Sequence, residues 1–337
     1  MTNHPFKAYV VQENEDGGFS GHLQERTIDQ LPPGEITVRV EYSSLNYKDA
    51  LSATGNRGVT KTYPHTPGID AAGTVEVSRV DGIREGTPVI VTSYDLGMNT
   101  PGGFGQYIRV PADWVIPLPS GLSLRESMIF GTAGFTAALS LLKLTHAVKP
   151  EQGPILVTGA TGGVGSVAAA ILAKLGYEVW AVSGKASAKD FLEPFGVKNV
   201  IERTAFLKDT DRPLLKPMWA GAVDTVGGEP LATAIKSTQP LGVVTCCGNA
   251  ASHQLPITVF PFILRGVSLM GVNSQSCPME IRKKAWEKLS HEWKFDALNH
   301  LCREISLSEL GGRIETILKG GLTGRTVIRL HERVDTA

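Results

Sequence analysis

The chain is poor in cysteine, carries no excess of either charge and has no long apolar run. Its four cysteines, Cys246, Cys247, Cys277 and Cys302, show no C-x-x-C spacing. The adjacent pair Cys246-Cys247 falls in a strand-like apolar stretch, so reduced thiols in a cytoplasm are expected rather than a disulfide framework. Lys and Arg together number 33, as do Asp and Glu. Without a basic excess a phosphate backbone finds little to bind, and no nucleic-acid partner is expected. No apolar run approaches the roughly 18 residues that a membrane span needs. Met1 to Lys7 has no hydrophobic stretch behind its charges and does not read as a signal peptide. Internal repeats and low-complexity segments are missing too. What is present, 337 residues with 42% apolar content and 37 glycines, suits a soluble α/β enzyme of two domains.

A further absence is sharper. No literal G-x-G-x-x-G occurs, yet Gly159, Gly162, Gly163 and Gly165 make a variant of it in a telling place. Ile155 to Thr158 is a short apolar run that reads as a buried strand. The glycine turn follows at once, and Ser166 to Leu175 reads as an Ala-rich helix closed by Gly176. Glycine lets a backbone turn sharply and approach a ligand closely, and the helix start offers free N–H groups to a pyrophosphate. The next strand, Glu178 to Ser183, ends where a NAD-binding fold places a carboxylate for the ribose 2′-hydroxyl. Here the tip is Ser183-Gly184-Lys185 instead. A hydroxyl and a cation welcome a 2′-phosphate, and no acid is there to repel it. The expected cofactor is NADPH.

The two ends of the chain read differently from its middle. Ala8 to Val11, Ile36 to Tyr42, Thr87 to Thr92 and Gln106 to Val110 are short strand-like runs separated by Pro and Gly. They suggest a partly open β-barrel. From Leu124 the periodicity turns helical, through Gly131-Thr132-Ala133-Gly134-Phe135. Beyond residue 150 strands at 155–158, 178–183, 199–201, 222–226, 242–247 and 268–272 alternate with helices. That pattern predicts a doubly wound parallel sheet of about six strands. The runs Arg303 to Leu307 and Thr326 to Leu330 are expected to rejoin the first domain. The expected division is 1–124 with 275–337 as a catalytic domain, and 125–274 as a dinucleotide-binding domain.

Several motifs carry a family resemblance across essentially the whole chain. They are Ser43-Ser44-Leu45-Asn46-Tyr47-Lys48-Asp49, Pro67-Gly68-Ile69-Asp70, Gly131-Thr132-Ala133-Gly134-Phe135-Thr136-Ala137, the turn 159–165, Pro261-Phe262-Ile263-Leu264-Arg265-Gly266 and Gly324-Arg325-Thr326-Val327. With them the chain resembles the medium-chain dehydrogenase/reductase superfamily, which pairs a GroES-like barrel with a Rossmann domain. Within it the chain is most similar to the zinc-independent quinone-oxidoreductase-like group, and to its NADPH-dependent acrylyl-CoA reductases. Zinc-using relatives carry a Cys where this chain has Asn46-Tyr47, and Gly-His-Glu where it has Gly68-Ile69-Asp70. They also carry a four-cysteine lobe near 93–105, a stretch without cysteine here. The resemblance therefore implies no metal, since a catalytic zinc needs about three protein ligands. His65 reads as a loop residue.

The resemblance implies hydride transfer to the β-carbon of an alkene conjugated to a thioester carbonyl. Charge then develops on the carbonyl oxygen and the α-carbon takes a proton. Tyr47 is implied beside the nicotinamide, either as a hydroxyl donor or as a packing ring, and Asn46 as its neighbour, either catalytic or turn-stabilising. Thr161, Gly162, Gly163 and Val164 are implied at the pyrophosphate, and Ser183, Gly184 and Lys185 at the 2′-phosphate. Arg203 is implied near the adenosine end, Asn249 where the nicotinamide half passes, and Ile263 and Ser274 as further cofactor contacts on either side of the last strand. Arg325 is implied either at the cofactor phosphate or in a structural salt bridge. Arg282-Lys283-Lys284 sits in a helix of mixed charge and reads as a solvated face. The leading expectation is reduction of acrylyl-CoA to propionyl-CoA. The alternatives are an NADPH:quinone or general enone reductase, and a cofactor-binding structural or RNA-binding protein. Zero net charge and an intact Tyr47 weigh against the last. A cytoplasmic homodimer joined through the strand at 268–272 is expected.

Overall fold

A computed structural model of the chain describes residues 4–331. Its contacts divide it into two compact units. One comprises Met1–Thr132, Gln275–Lys283 and Leu298–Ala337, of which 1–3 and 332–337 lie outside the described residues. The start of the N-terminal reading, Met1 to Asn3, falls there as well. The other comprises Ala133–Ser274 and Lys284–Ala297. Residues 125–132 thus group with the first unit and 284–297 with the second, whereas the sequence placed both stretches the other way.

In the second unit six parallel strands lie in the order Asn199–Glu202, Val179–Ser183, Ile155–Thr158, Trp219–Asp224, Thr238–Cys246 and Ser268–Gly271. This is the doubly wound order 3-2-1-4-5-6. Its topological switch point lies between the first and fourth strands, where such sheets take their ligands at the carboxyl ends. Ile155–Thr158 and Trp219–Asp224 are buried at every position, as strands covered on both faces must be. Trp219, Ala220 and Gly221 extend the fourth strand upstream of the expected Ala222, with a register shift between Trp219 and Gly221, and it ends at Asp224 rather than Val226. The helix Gly163–Lys174 follows the glycine turn, where Gly159 has φ +61°. A Cβ on Gly165 would run into the Gly159 carbonyl oxygen, so only glycine lets helix and strand approach this closely.

The first unit is built on a sheet that runs Cys302–Ser306, Arg325–Arg329, Ile36–Ser44, Asp70–Ser78, Pro88–Thr92, Val115–Pro117, with Tyr107–Val110 also paired to Ile36–Ser44. Ile36–Ser44 serves three partners, with Tyr107–Val110 along residues 36–39, Arg325–Arg329 along residues 42–44 and Asp70–Ser78 along residues 36–42, the last pairing shifting register twice. That irregularity bends the sheet toward a barrel. The hairpin Pro5–Glu13 with Phe19–Thr27 closes on it through bridges from Ala8 to Gly105 and Val11 to His65. Ile305, Leu310, Ile314 and Ile328 from the tail pack into one core with Val38, Val40, Leu45 and Ala50. A partly open barrel and a doubly wound parallel sheet are therefore the fold of this α/β chain.

One helix, Leu124–Ala147, leaves helical geometry at Gly131, with φ 52° and ψ −157°. The sequence pattern had run through this point without a break. Among the described residues this helix alone is long and apolar enough to cross a membrane, and 78% of its apolar window is buried in the protein.

Candidate functional site

In the first unit the motif residues converge on one buried carboxylate. Asp70 begins the strand Asp70–Ser78 and is wholly buried. Its Oδ1 accepts from the Thr132 hydroxyl (2.6 Å), and its Oδ2 accepts from Ser44 Oγ (2.6 Å) and Asn46 Nδ2 (2.7 Å). Both oxygens also accept from the Thr132 backbone N–H, at 3.0 and 2.9 Å. Gly131 explains itself here. A Cβ on it would meet Ser44 Oγ, Asp70 Oδ2 and Arg325 Nη2, and its positive φ turns Thr132 onto the carboxylate.

Asp49 is a second carboxylate without solvent. Its Oδ1 accepts from Ile69 N–H (2.8 Å) and its Oδ2 from Asn46 N–H (2.7 Å). Burial, and then the neighbouring Asp70, push its carboxyl up to about 7 despite these donors. Asn46 stands between the two acids at the N-cap of the helix Tyr47–Ala53. Its amide nitrogen also reaches Ser44 O at 3.2 Å, and its Oδ1 accepts from Arg325 Nη1 at 3.2 Å. Asn46 is therefore fully engaged with protein groups, which is the turn-stabilising alternative rather than the catalytic one.

Arg325 needs the same correction. Its guanidinium is 3% exposed and donates to Ile129 O (2.9 Å), Leu45 O (3.3 Å), Asn46 Oδ1 and Ser44 Oγ (2.8 Å). A side chain committed to four acceptors inside the barrel is a structural tie, not an open phosphate ligand. Tyr47, by contrast, is 44% exposed at the first position of its helix. Among the described residues its hydroxyl makes no hydrogen bond. Lys48 beside it donates to Gln275 Oε1 at 2.9 Å, and burial lowers its pKa.

The metal-ligand positions of zinc-using relatives hold Asn46 and Ile69, and no group of three or more His, Cys, Asp and Glu among the described residues is placed to hold an ion. His65 is buried, and burial holds its pKa below the usual value. Arg282, read as part of a solvated face, is instead 0% exposed, with its Cζ 4.3 Å from the Tyr94 ring centroid. Its helix turns that one residue inward while Lys283 and Lys284 stay exposed.

In the second unit the glycine turn and the second strand are tied together. Thr161 Oγ1 lies 2.9 Å from Ser183 Oγ, and both side chains are buried. Gly162 caps the helix Gly163–Lys174, whose Gly163 and Val164 are half-buried at its opening. Lys185 N–H donates to Ser183 Oγ at 3.2 Å, and burial lowers the Lys185 ammonium. Gly184 is where Arg203 arrives: a Cβ there would lie 3.1 Å from the Arg203 Cζ. Glu202, the acid beside Arg203, is taken up in capping Thr204 and Ala205. The end of the second strand thus gathers a hydroxyl, an ammonium and a guanidinium with no free acid among them.

The remaining expected contacts lie around the fifth and sixth strands, which pair in parallel as far as Cys246 and Gly271. Asn249 is exposed beyond the fifth strand, with its Cα 3.3 Å from where a Gly227 Cβ would stand. Ser274 is half-buried at the last residue of this unit's first segment. Ile263 is 67% exposed on the helix Phe260–Arg265, beside Leu264 at 64%. Asp224 was missed by the sequence reading. It is wholly buried and accepts from Thr158 Oγ1 (2.6 Å) and Gly227 N–H (2.8 Å), which pins the two strands at the switch point. Burial raises its pKa. An acid ending an apolar strand beside a Gly-Gly pair was the available signal.

Comparison with known proteins agrees with this geometry. Residues 32–120 match the family model described as alcohol dehydrogenase GroES-like domain, and residues 163–291 the one described as zinc-binding dehydrogenase. The acrylyl-CoA reductase AcuI of Ruegeria pomeroyi is 44% identical over 97% of this chain and 99% of its own length. The crystal structure of Escherichia coli YhdH with bound NADPH is 43% identical, covers 96% of this chain and all of its own, and superposes with a TM-score of 0.92. Bacillus subtilis YhfP with NAD bound is also 43% identical, over 97% and 100%, at a TM-score of 0.94. The two-unit fold, the glycine turn and near-complete coverage by these relatives make the chain a member of the medium-chain dehydrogenase/reductase superfamily, in its acrylyl-CoA reductase and quinone oxidoreductase branch.

Proposed function

We propose that the chain reduces the C=C bond of a 2-enoyl thioester with NADPH and without a metal, acrylyl-CoA to propionyl-CoA being the best candidate reaction. The observation that carries this reading is Tyr47: a half-exposed side chain whose hydroxyl has no partner among the described residues, held at the head of a helix whose cap is locked onto buried Asp70. The names of the relatives support the substrate class, since one is an acrylyl-CoA reductase.

The residues present fit a phosphorylated dinucleotide. The crowded approach of Gly165 to Gly159 leaves room for backbone and no side chain at the turn, and Thr161, Gly162, Gly163 and Val164 would hold the pyrophosphate there. Ser183, Gly184, Lys185 and Arg203 would hold the 2′-phosphate, with Asn249 on the nicotinamide half and Ser274 a further contact beside the last strand. When bound, NADPH supplies the hydride for the β-carbon. Tyr47 donates its O–H to the thioester carbonyl oxygen as negative charge builds there, or passes the proton on to the α-carbon. Asn46, Asp70 and Arg325 touch neither and act by fixing the start of the Tyr47 helix. Asn46 and Ile69 offer no thiolate or imidazole to a zinc ion, so the polarising role falls to hydrogen bonding.

Steady-state rates with NADPH on acrylyl-CoA, crotonyl-CoA and a small quinone test the reading. Preference for the quinone would establish the second reading, an NADPH:quinone or general enone oxidoreductase.

A homodimer and a cytoplasmic location belong to the same proposal. Ser268–Gly271 pairs only with Thr238–Cys246 among the described residues, leaving one ladder edge open. Around it Leu241 (81% exposed), Ile263 (67%) and Leu264 (64%) present an apolar face. Open edge and apolar face together suit a second copy across a twofold axis. Ile263 fits this face better than a cofactor contact. A strictly monomeric mass at micromolar concentration would rule the dimer out. Four free thiols suit a reducing compartment.

A further inference from the structure

Two consecutive residues with side chains, Ser93 (φ 66°) and Tyr94 (φ 51°), occupy the left-handed region directly after the strand Pro88–Thr92. That conformation is unfavourable for any residue with a Cβ, and a pair of them persists only where the surroundings impose it. The surroundings are visible. Ser93 N–H donates to Ile69 O at 2.8 Å and Tyr94 N–H to Gln275 O at 3.2 Å. The Tyr94 ring stacks on Trp114, with centroids 5.3 Å apart and planes 5° from parallel. Arg282 lies over Tyr94 and donates to both Thr92 O and Thr92 Oγ1 at 3.0 Å.

This clamp aims one atom. Ser93 Oγ lies 3.0 Å from Thr132 Oγ1. The Thr132 hydroxyl already gives its proton to Asp70 Oδ1, so between the two hydroxyls Ser93 is the donor. A line of hydrogen bonds therefore runs from Ser93 to Thr132, to Asp70, to Asn46 and to the first turn of the helix that begins at Tyr47.

We propose that Ser93 is a positioning residue for the reduction: its hydroxyl, aimed by the strained turn, fixes Thr132 on Asp70 and thereby sets the helix that carries Tyr47. The inference rests on Tyr47 as the reacting group. Local strain is retained here because relaxing it would turn the hydroxyl away.

Ser93→Gly separates this role from a merely structural one. Glycine adopts the left-handed backbone freely, so the variant keeps or gains thermal stability while it loses the hydroxyl. The expected result is a kcat about tenfold lower, with the NADPH dissociation constant within about twofold. Thr132→Val reproduces the kcat loss, Thr132→Ser restores most of it, and Ser93→Gly with Thr132→Val loses little more than either alone. Hydrogen exchange of peptides covering residues 46–54 quickens in Ser93→Gly. Unchanged kcat, or unchanged exchange in those peptides, overturns the proposal. Should the parent enzyme reduce neither an enoyl thioester nor a quinone, the activity reading fails, and the exchange measurement still decides the positioning.

Discussion

Arg325 Nη2 lies 3.9 Å from Asp70 Oδ2, with the Arg 3% and the Asp 0% exposed. A buried ion pair of this kind is weak evidence for net stability, but removing one partner strands the other charge at a cost of about 3–5 kcal/mol. Each Asp70 oxygen also has neutral donors, so the pair belongs to a network that fixes geometry.

Arg325→Lys is expected to lower thermal stability by several degrees while leaving NADPH affinity within about twofold. One ammonium cannot serve four acceptors in a fixed fork. Thermal denaturation with fluorescence titration of NADPH reads both quantities. A loss of affinity out of proportion to the loss of stability would return Arg325 to the cofactor phosphate.

Gly184→Ala should weaken NADPH selectively. The new Cβ would stand 3.1 Å from the Arg203 guanidinium and push that flexible side chain off the strand end. A charge-assisted phosphate contact contributes about 1.5–3 kcal/mol, so the loss for NADPH is tenfold or more, against little change for NADH. Lys185→Asp should act in the same direction. Equal losses for the two cofactors would show that the cluster does not read the 2′-phosphate.

The Asp49 carboxyl, pushed up to about 7, makes stability depend on pH with a definite sign. In the unfolded chain it titrates near 4. Between about pH 4 and 7 the folded chain keeps a proton that the unfolded chain has released, so this group's contribution to stability falls as pH rises. Asp49→Asn abolishes that titration. At acid pH the variant is the less stable, because an amide N–H2 faces a backbone N–H where an oxygen accepted before. Its deficit shrinks by up to about 1.4 kcal/mol for each pH unit toward neutrality. Melting curves across that range check the trend, and a deficit that widens as pH rises would reverse the sign of the shift.

Much of this was legible in the sequence, for a physical reason that also marks the limit. Strands buried on both faces must be continuously apolar, so Ile155–Thr158 and Val179–Ser183 announce themselves, and the glycine turn between strand and helix fixes where a ligand goes. The Asp70 network is different. Its members come from residues 44–49, 70, 132 and 325, and nothing local distinguishes a buried carboxylate from a solvated one. Gly131 was visible as a motif glycine, but its reason lies in three side-chain atoms from distant stretches. Arg282 failed in the same way, since a helix of mixed charge gives no sign of which cation turns inward. Ile263 was placed by resemblance at the cofactor, whereas its exposure beside Leu264 suits an apolar surface.

Tyr47→Phe is expected to lower turnover on acrylyl-CoA by roughly 10²-fold, the typical effect of losing one donor to a developing oxyanion. The ring remains at the head of its helix, and among the described residues the hydroxyl has no partner whose loss would disturb the fold. NADPH affinity should change little, so the loss falls on kcat and kcat/KM alike, the signature of an interaction made only in the transition state. The same change should matter less for a quinone, which can take its protons from water. Stopped-flow reduction of acrylyl-CoA and of a quinone by the two proteins separates these cases. If kcat on acrylyl-CoA is unchanged, Tyr47 packs against the cofactor and donates nothing. The search for a proton donor then moves to bound water or to the cofactor's own ribose hydroxyl, since Asn46 and Thr132 have their hydrogens committed to protein acceptors.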